Sequence, residues 1–162
     1  MMSEPFKLRL YLETTVFNWY FDPRPGHEEV VRLFEAIRDG GFKGYTSKYV
    51  VDELEDAPEP KRSEMLALIE EYGITVLGYN ADADNLAQKY IAHGLIPASH
   101  IDDSTHIAAA FVHGLDAIIS YNFHHINRTK TIIGASIMGL YEGYSPVIIC
   151  TAEEVLKYGA NY

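Results

Sequence analysis

A chain of 162 residues with 48% hydrophobic and 22% charged side chains has room for one sizeable core, so a single domain over 1–162 is expected. It has no apolar stretch long enough to span a bilayer and no secretory leader pattern, which argues against a membrane protein and for the cytoplasm. Its net charge of −10 argues against a broad phosphate-binding surface, though a few local cations can still guide a strand.

Residues 7–12 read as a buried strand, closed by Glu13 and by Thr14-Thr15, which can start a helix. Pro23-Arg24-Pro25-Gly26 reads as a turn. Val30, Val31, Phe34 and Ile37 then share one face of a helix over 27–39, stopped by Gly40-Gly41. Tyr45-Thr46 ends a short second strand, and Ser47 can cap a helix whose buried side is Val50, Val51 and Leu54. After the turn Pro58-Glu59-Pro60, Met65, Leu68, Ile69 and Tyr72 mark a helix over 60–72, stopped by Gly73.

Ile74-Thr75-Val76-Leu77 is the third strand. Leu86, Ala87, Tyr90 and Ile91 mark a helix ended by Gly94; Ile101, Thr105, Ala108 and Val112 mark the next, ended by Gly114. Ala117 to Tyr121 is a fourth strand. A helix over 129–141 follows, weakened by Gly134 and Gly139. Val147 to Cys150 is the fifth strand, and a last short helix begins near Thr151, with Glu154 spaced for a capping box. Short apolar strands alternating with helices predict an α/β fold: a central parallel sheet of about five strands with helices on both sides. The single Cys150 lies in an apolar run without a charged activating neighbour, which suits a buried structural thiol in a reducing compartment.

Isolated carboxylates recur at the ends of these elements. Glu13 follows strand one, where ligands bind in open α/β sheets, but a charge at a helix start has the same address. Glu53 lies in the acidic run Asp52, Glu53, Glu55 and Asp56, nearer the buried face than Glu55. With Ser99 as N-cap, Asp102 takes a capping-box position, and Asp103, about 100° further round, is freer to reach a metal. Asn122 follows strand four. His106 reads first as a packed core histidine. Crowded carboxylates repel one another, and a hard divalent cation such as Mg²⁺ or Mn²⁺ relieves the repulsion. Neither His-x-x-x-His nor Cys-rich zinc spacing is present, nor a phosphate-binding glycine loop, nor a nucleophile elbow.

Taken together, four segments resemble the PIN domain, the nuclease fold of VapC-type toxins. Leu10-Tyr11-Leu12-Glu13-Thr14-Thr15 looks like its strand followed by Asp-Thr-Ser, with Glu for Asp. Ser47 through Leu54 looks like its second, Glu-bearing motif. Asp103-Ser104-Thr105-His106-Ile107-Ala108 resembles its Asp-Ala-Leu-His-hydrophobic-Ala pattern. Ile119-Ser120-Tyr121-Asn122-Phe123-His124-His125 resembles the branch with Ser-x-Asn-Phe-x-His where others have Thr-x-Asp. The resemblance implies a PIN-like three-layer fold and a Mg²⁺- or Mn²⁺-dependent endoribonuclease, the toxin of a toxin–antitoxin pair. It implies Glu13, Glu53 and Asp103 as metal ligands and Asn122 as a fourth catalytic residue. Thr14, Lys48, His125, Arg128 and Lys130 are candidate RNA contacts, with a structural role equally open for His125. Partners would be RNA, an antitoxin protein and a second copy; twelve tyrosines and aromatics such as Trp19 and Tyr20 leave room for a dimer interface.

Two departures bear on activity. Glu13 is one methylene longer than Asp, and Asn122 lacks a charge. They motivate a rival reading, a PIN-fold protein of weakened or absent catalysis that acts through protein contacts. A phosphotransfer receiver or an aspartate-nucleophile phosphatase also places an acid after strand one. The phosphatase needs an Asp where Thr15 stands, and the receiver's Asp acceptor and later Lys have no clear counterpart here.

Overall fold

Five short apolar runs pair as parallel strands in a computed structural model that describes residues 5–159. They are β1 (Arg9–Leu12), β2 (Lys43–Ser47), β3 (Thr75–Leu77), β4 (Ala117–Ile119) and β5 (Ile148–Cys150), in the order β3-β2-β1-β4-β5. Leu10, Tyr11 and Leu12 are all fully buried, as are Ile118 and Ile119. Consecutive strand residues point to opposite faces, so both faces of the central strands are covered. The covering elements are α1 (Thr14–Phe21), α2 (His27–Arg38), α3 (Lys48–Glu55), α4 (Lys61–Glu71), α5 (Ala81–Ala92), α6 (Ile101–Val112), α7 (Thr129–Tyr141) and α8 (Ala152–Gly159).

The local signals act as their chemistry requires. Ser47 Oγ accepts the Val50 N–H and caps α3. Thr151 and Glu154 form a reciprocal capping box before α8. Gly73 and Gly114 take φ of +67° and +64° just past α4 and α6, a conformation that side chains with a Cβ disfavour. Gly134 and Gly139 do not break α7: a Cβ at either would run into Leu95 or Phe111, so the glycines allow close packing.

Two expectations need correction, and one left open is decided. Ser99 does not cap α6. Pro97 instead leads into a 3₁₀ turn over Ala98–His100, and His100 takes the cap position with no side-chain hydrogen bond. Asp102 therefore has no capping-box partner and stands exposed. Trp19 and Tyr20 are packed against the core: Trp19 stacks on Tyr121 at 3.8 Å, and the Tyr20 hydroxyl meets that of Tyr72. An exposed apolar stripe lies on α7, at Ile133, Ile137, Leu140 and Tyr141.

Candidate active site

Strand order reverses at β1, which lies between β2 and β4. At such a switch point the connections leave in opposite directions and open a crevice beyond the strand carboxyl ends. Leu12 pairs with Ile119, so the residues that follow, Glu13 and Ser120, meet there. The α3 and α6 helices bring Glu53 and Asp103 to the same end, and the turn after β4 brings Asn122.

Glu13 is buried, and its carboxylate is engaged. Oε1 accepts from the Thr15 hydroxyl at 2.6 Å and the Ser120 hydroxyl at 2.7 Å; Oε2 accepts the Thr15 N–H at 3.2 Å, capping α1. Burial raises its pKa, against the opposing pull of His106 and these donors.

Glu53 is part-exposed and joined through Oε1 to His106 Nε2. The buried ring's Nδ1 meets the Tyr11 hydroxyl at 2.9 Å, which meets Ser47 Oγ at 2.7 Å. A polar chain of Glu53, His106, Tyr11 and Ser47 thus runs into the core. Burial disfavours charge at both ends of the Glu53–His106 pair, but their mutual hydrogen bond and attraction prevail. The Glu53 pKa falls below its ordinary value, and that of His106 rises, helped by Glu13 and Asp103. Thr14 Oγ1 is buried and finds no partner at hydrogen-bonding distance and angle, yet lies near enough to Glu53 to favour its carboxylate.

Asp103 is half-buried. Its Oδ1 accepts from Asn122 Nδ2 at 3.1 Å, and its Oδ2 lies 3.5 Å from His100 Nδ1. Burial raises its pKa; His106, Asn122 and His125 oppose the rise, and Glu53 adds to it. Desolvation is the larger cause of this rise, and repulsion by the neighbouring carboxylate the smaller. Asn122 also accepts the His125 N–H through Oδ1 at 3.0 Å.

Among the described residues, Glu13, Glu53 and Asp103 do not converge to within 4.8 Å of one another; His100, Asp103 and His125 do. The carboxylates instead share an influence on His106, whose pKa all three raise against the effect of burial. Sequence reasoning missed His100. The only signal was its i,i+3 spacing to Asp103, because His125 arrives from another element. Of the candidate RNA contacts, Lys48 is exposed, Arg128 donates to the His124 carbonyl, and Lys130 donates to the Gly94 carbonyl. Cys150 is buried, and its thiol pKa is pushed up to about 12 by burial, with Glu154 adding to it. It is not a nucleophile at neutral pH.

Comparison with known proteins bears on the fold and the family. Two solved structures share the fold. VapC20 of Mycobacterium tuberculosis, described as a sarcin–ricin loop-cleaving toxin, aligns with a TM-score of 0.53 at 15% identity, over 86% of this chain and 98% of its own. VapBC2 of Rickettsia felis, solved bound to a promoter DNA fragment, aligns with a TM-score of 0.57 at 12% identity, over 88% and 97%. No curated protein matches the sequence. The PIN domain profile matches residues 10–130, three-quarters of the chain, and the chain belongs to the PIN domain family.

Proposed function

We propose that this protein is a metal-dependent endoribonuclease, the toxin component of a toxin–antitoxin pair, and that residues 1–162 form one PIN domain. The observation that carries the reading is the pairing of two half-buried carboxylates, Glu53 and Asp103, at the sheet's switch point, each held by its own partner. Mg²⁺ or Mn²⁺ fits the donors: hard carboxylate oxygens, with the orphaned Thr14 hydroxyl beside Glu53. Glu53 and Asp103 would hold the ion, with Glu13 as a third ligand or as buried negative charge behind them. When bound, such an ion activates water for attack on phosphorus and offsets charge on the phosphodiester.

The chain's own groups prepare that chemistry. His106 occupies one oxygen of Glu53 and leaves Oε2 free of it. Asn122 fixes Asp103 through Oδ1 and leaves Oδ2 beside His100. His125 is positioned by Asn122 beside Asp103, and Lys48, Arg128 and Lys130 are the cations that would meet the RNA backbone. The protein would work in the cytoplasm, with RNA as substrate and an antitoxin-like protein as its inhibitor.

One observation favours the rival, a PIN-fold protein that acts by contact alone. Three hydrogen bonds already engage Glu13, and Asn122 supplies no charge. Asp103→Asn decides between them. It keeps size and removes a ligand charge, so RNA cleavage by purified protein in Mg²⁺ or Mn²⁺ should nearly vanish. Asp102→Asn, at an exposed position, should cleave like wild type. Equal cleavage by wild type and Asp103→Asn would assign the activity to a contaminant and leave the contact protein as the better reading.

A further inference from the structure

We propose that His100, Asp103 and His125 form a binding site for a borderline divalent transition ion of the Zn²⁺ or Ni²⁺ class, overlapping the carboxylate site at Asp103. Their ligand atoms all lie within 4.8 Å of one another. The His100 and His125 rings face each other with centroids 3.9 Å apart at 34°. Two imidazoles and one carboxylate are a recurrent ligand set for zinc and for non-haem iron, with the remaining positions left to solvent. Imidazole nitrogen selects such ions over Mg²⁺, which prefers oxygen.

The surroundings hold two of these ligands in place. Asn122 binds both: its Nδ2 donates to Asp103 Oδ1, and its Oδ1 accepts the His125 N–H. That leaves Asp103 Oδ2, the oxygen nearest His100, to face the ion. Thr131 donates its hydroxyl to the His125 carbonyl at 2.7 Å, tying the turn to the start of α7. The bond to Asp103 orients that ligand directly, and the two bonds to the His125 backbone fix the turn that carries its ring. The His125 ring also has a vacancy in its bonding: Nδ1 is buried and without a hydrogen-bond partner. A buried ring nitrogen left unpaired is unfavourable unless a ligand meets it. His100 is 45% exposed, which gives an ion a way in. Donors around an ion at about 2.0–2.2 Å stand closer together than 4.8 Å, so binding draws the three side chains inward by small rotations.

The site itself follows from this geometry alone. Its consequence rests on the nuclease reading: Asp103 is common to both ligand sets, so a transition ion here withdraws it from the Mg²⁺ that cleavage would need. The test is calorimetric titration of tag-free protein with ZnCl₂, with and without millimolar MgCl₂, alongside Co²⁺ absorption. Wild type should take up one equivalent. His100→Gln and His125→Gln should each weaken binding by at least about tenfold, the lower range for disturbing a metal site, and abolish the Co²⁺ ligand-field bands. Circular dichroism should show both variants folded. His124→Gln, at the exposed neighbouring histidine, should bind as wild type. Unchanged affinity in both site variants overturns the proposal, as does equal loss in His124→Gln. Loss in Glu53→Gln with retention in both histidine variants also overturns it, by placing the ion among the carboxylates. If Zn²⁺ binds as expected but RNA is never cleaved, the nuclease reading falls and the site stands.

Discussion

Glu13 has two possible employments, helix cap and metal ligand, and a pair of substitutions separates them. Glu13→Ala removes the α1 cap, which is worth about 0.5–2 kcal/mol. It also strands donors in the core. Ser120 is fully buried, and its hydroxyl and that of Thr15 lose their acceptor. Each buried group left unpaired costs roughly 1–3 kcal/mol. Against this stands the relief of a buried charge, since the Glu13 pKa is raised by desolvation. The net loss should be about 2–4 kcal/mol, which for a chain of this length lowers Tm by roughly 4–16 °C. Glu13→Gln keeps an oxygen for the two hydroxyls, loses mainly the Thr15 N–H bond, and removes the buried charge, so its net change should be within about 1 kcal/mol. The sign with pH follows from the raised pKa. A carboxyl whose pKa is raised on folding contributes stability that is present below its unfolded pKa and is lost as pH rises through the folded value, so Gln should gain on Glu as pH rises. Thermal melts from pH 4 to 8 measure both variants. An Ala variant that melts with wild type would refute the hydrogen-bond reasoning. Cleavage assays then divide the roles: a stable Gln variant with full activity makes Glu13 a cap alone, and a stable but inactive one makes it a ligand.

The Glu53–His106 pair gives a pH signature of its own. The raised His106 pKa adds stability that is complete below its unfolded value of about 6.5 and is lost as pH rises through the folded one; the lowered Glu53 pKa adds stability that is complete above about 4.5 and is lost as pH falls. Urea denaturation should therefore show the pair's contribution greatest between those values, and His106→Gln should flatten the alkaline limb; an unchanged limb would count against a charged ring. The α7 stripe offers a partner test. Ile137 is 53% exposed, so Ile137→Glu should leave stability within about 0.5 kcal/mol, while a partner seated there should bind roughly 30-fold more weakly, the loss typical of a central contact. Affinity for the antitoxin-like protein proposed above would measure this. Unchanged affinity together with a shift in self-association would make the stripe a dimer face instead.

Much of the fold was legible because its signals are local. Apolar runs, helical spacing and glycine stops depend on neighbours within a few residues, and the α7 helix fell on 129–141 as read. The caps of α3 and α8 were legible for the same reason. Ser99 failed because Pro97 begins a 3₁₀ turn one step earlier, and propensity at one residue does not reveal which of two overlapping turns prevails. That Glu13, Glu53, Asp103 and Asn122 gather beyond the strand ends was legible; their contacts were not. Tyr11 read as an apolar strand position; only its hydroxyl, 2.9 Å from His106 and 2.7 Å from Ser47, shows why a tyrosine belongs there. The pairing of His100 with His125 joins two turns that sequence leaves 25 residues apart, and no local rule relates them.

Asn122 shows why the amide at this position need not mean a lost function. An aspartate there would set a second carboxylate near Asp103 Oδ1, where Nδ2 now donates at 3.1 Å. Without a cation the two charges would repel, and Asp103 would need the ion to stay in place. The amide reverses that sign: it holds Asp103 by attraction in the metal-free protein and holds His125 with its other end. The expected trade is weaker attraction for a divalent cation, because one negative ligand is gone, against a site already arranged before the ion arrives. Since prearranged ligands need not be ordered at the moment of binding, part of the lost affinity is returned. On the nuclease reading, the amide changes how the site is assembled, and the burden of charge would fall on Glu53 and Asp103, with Glu13 behind them.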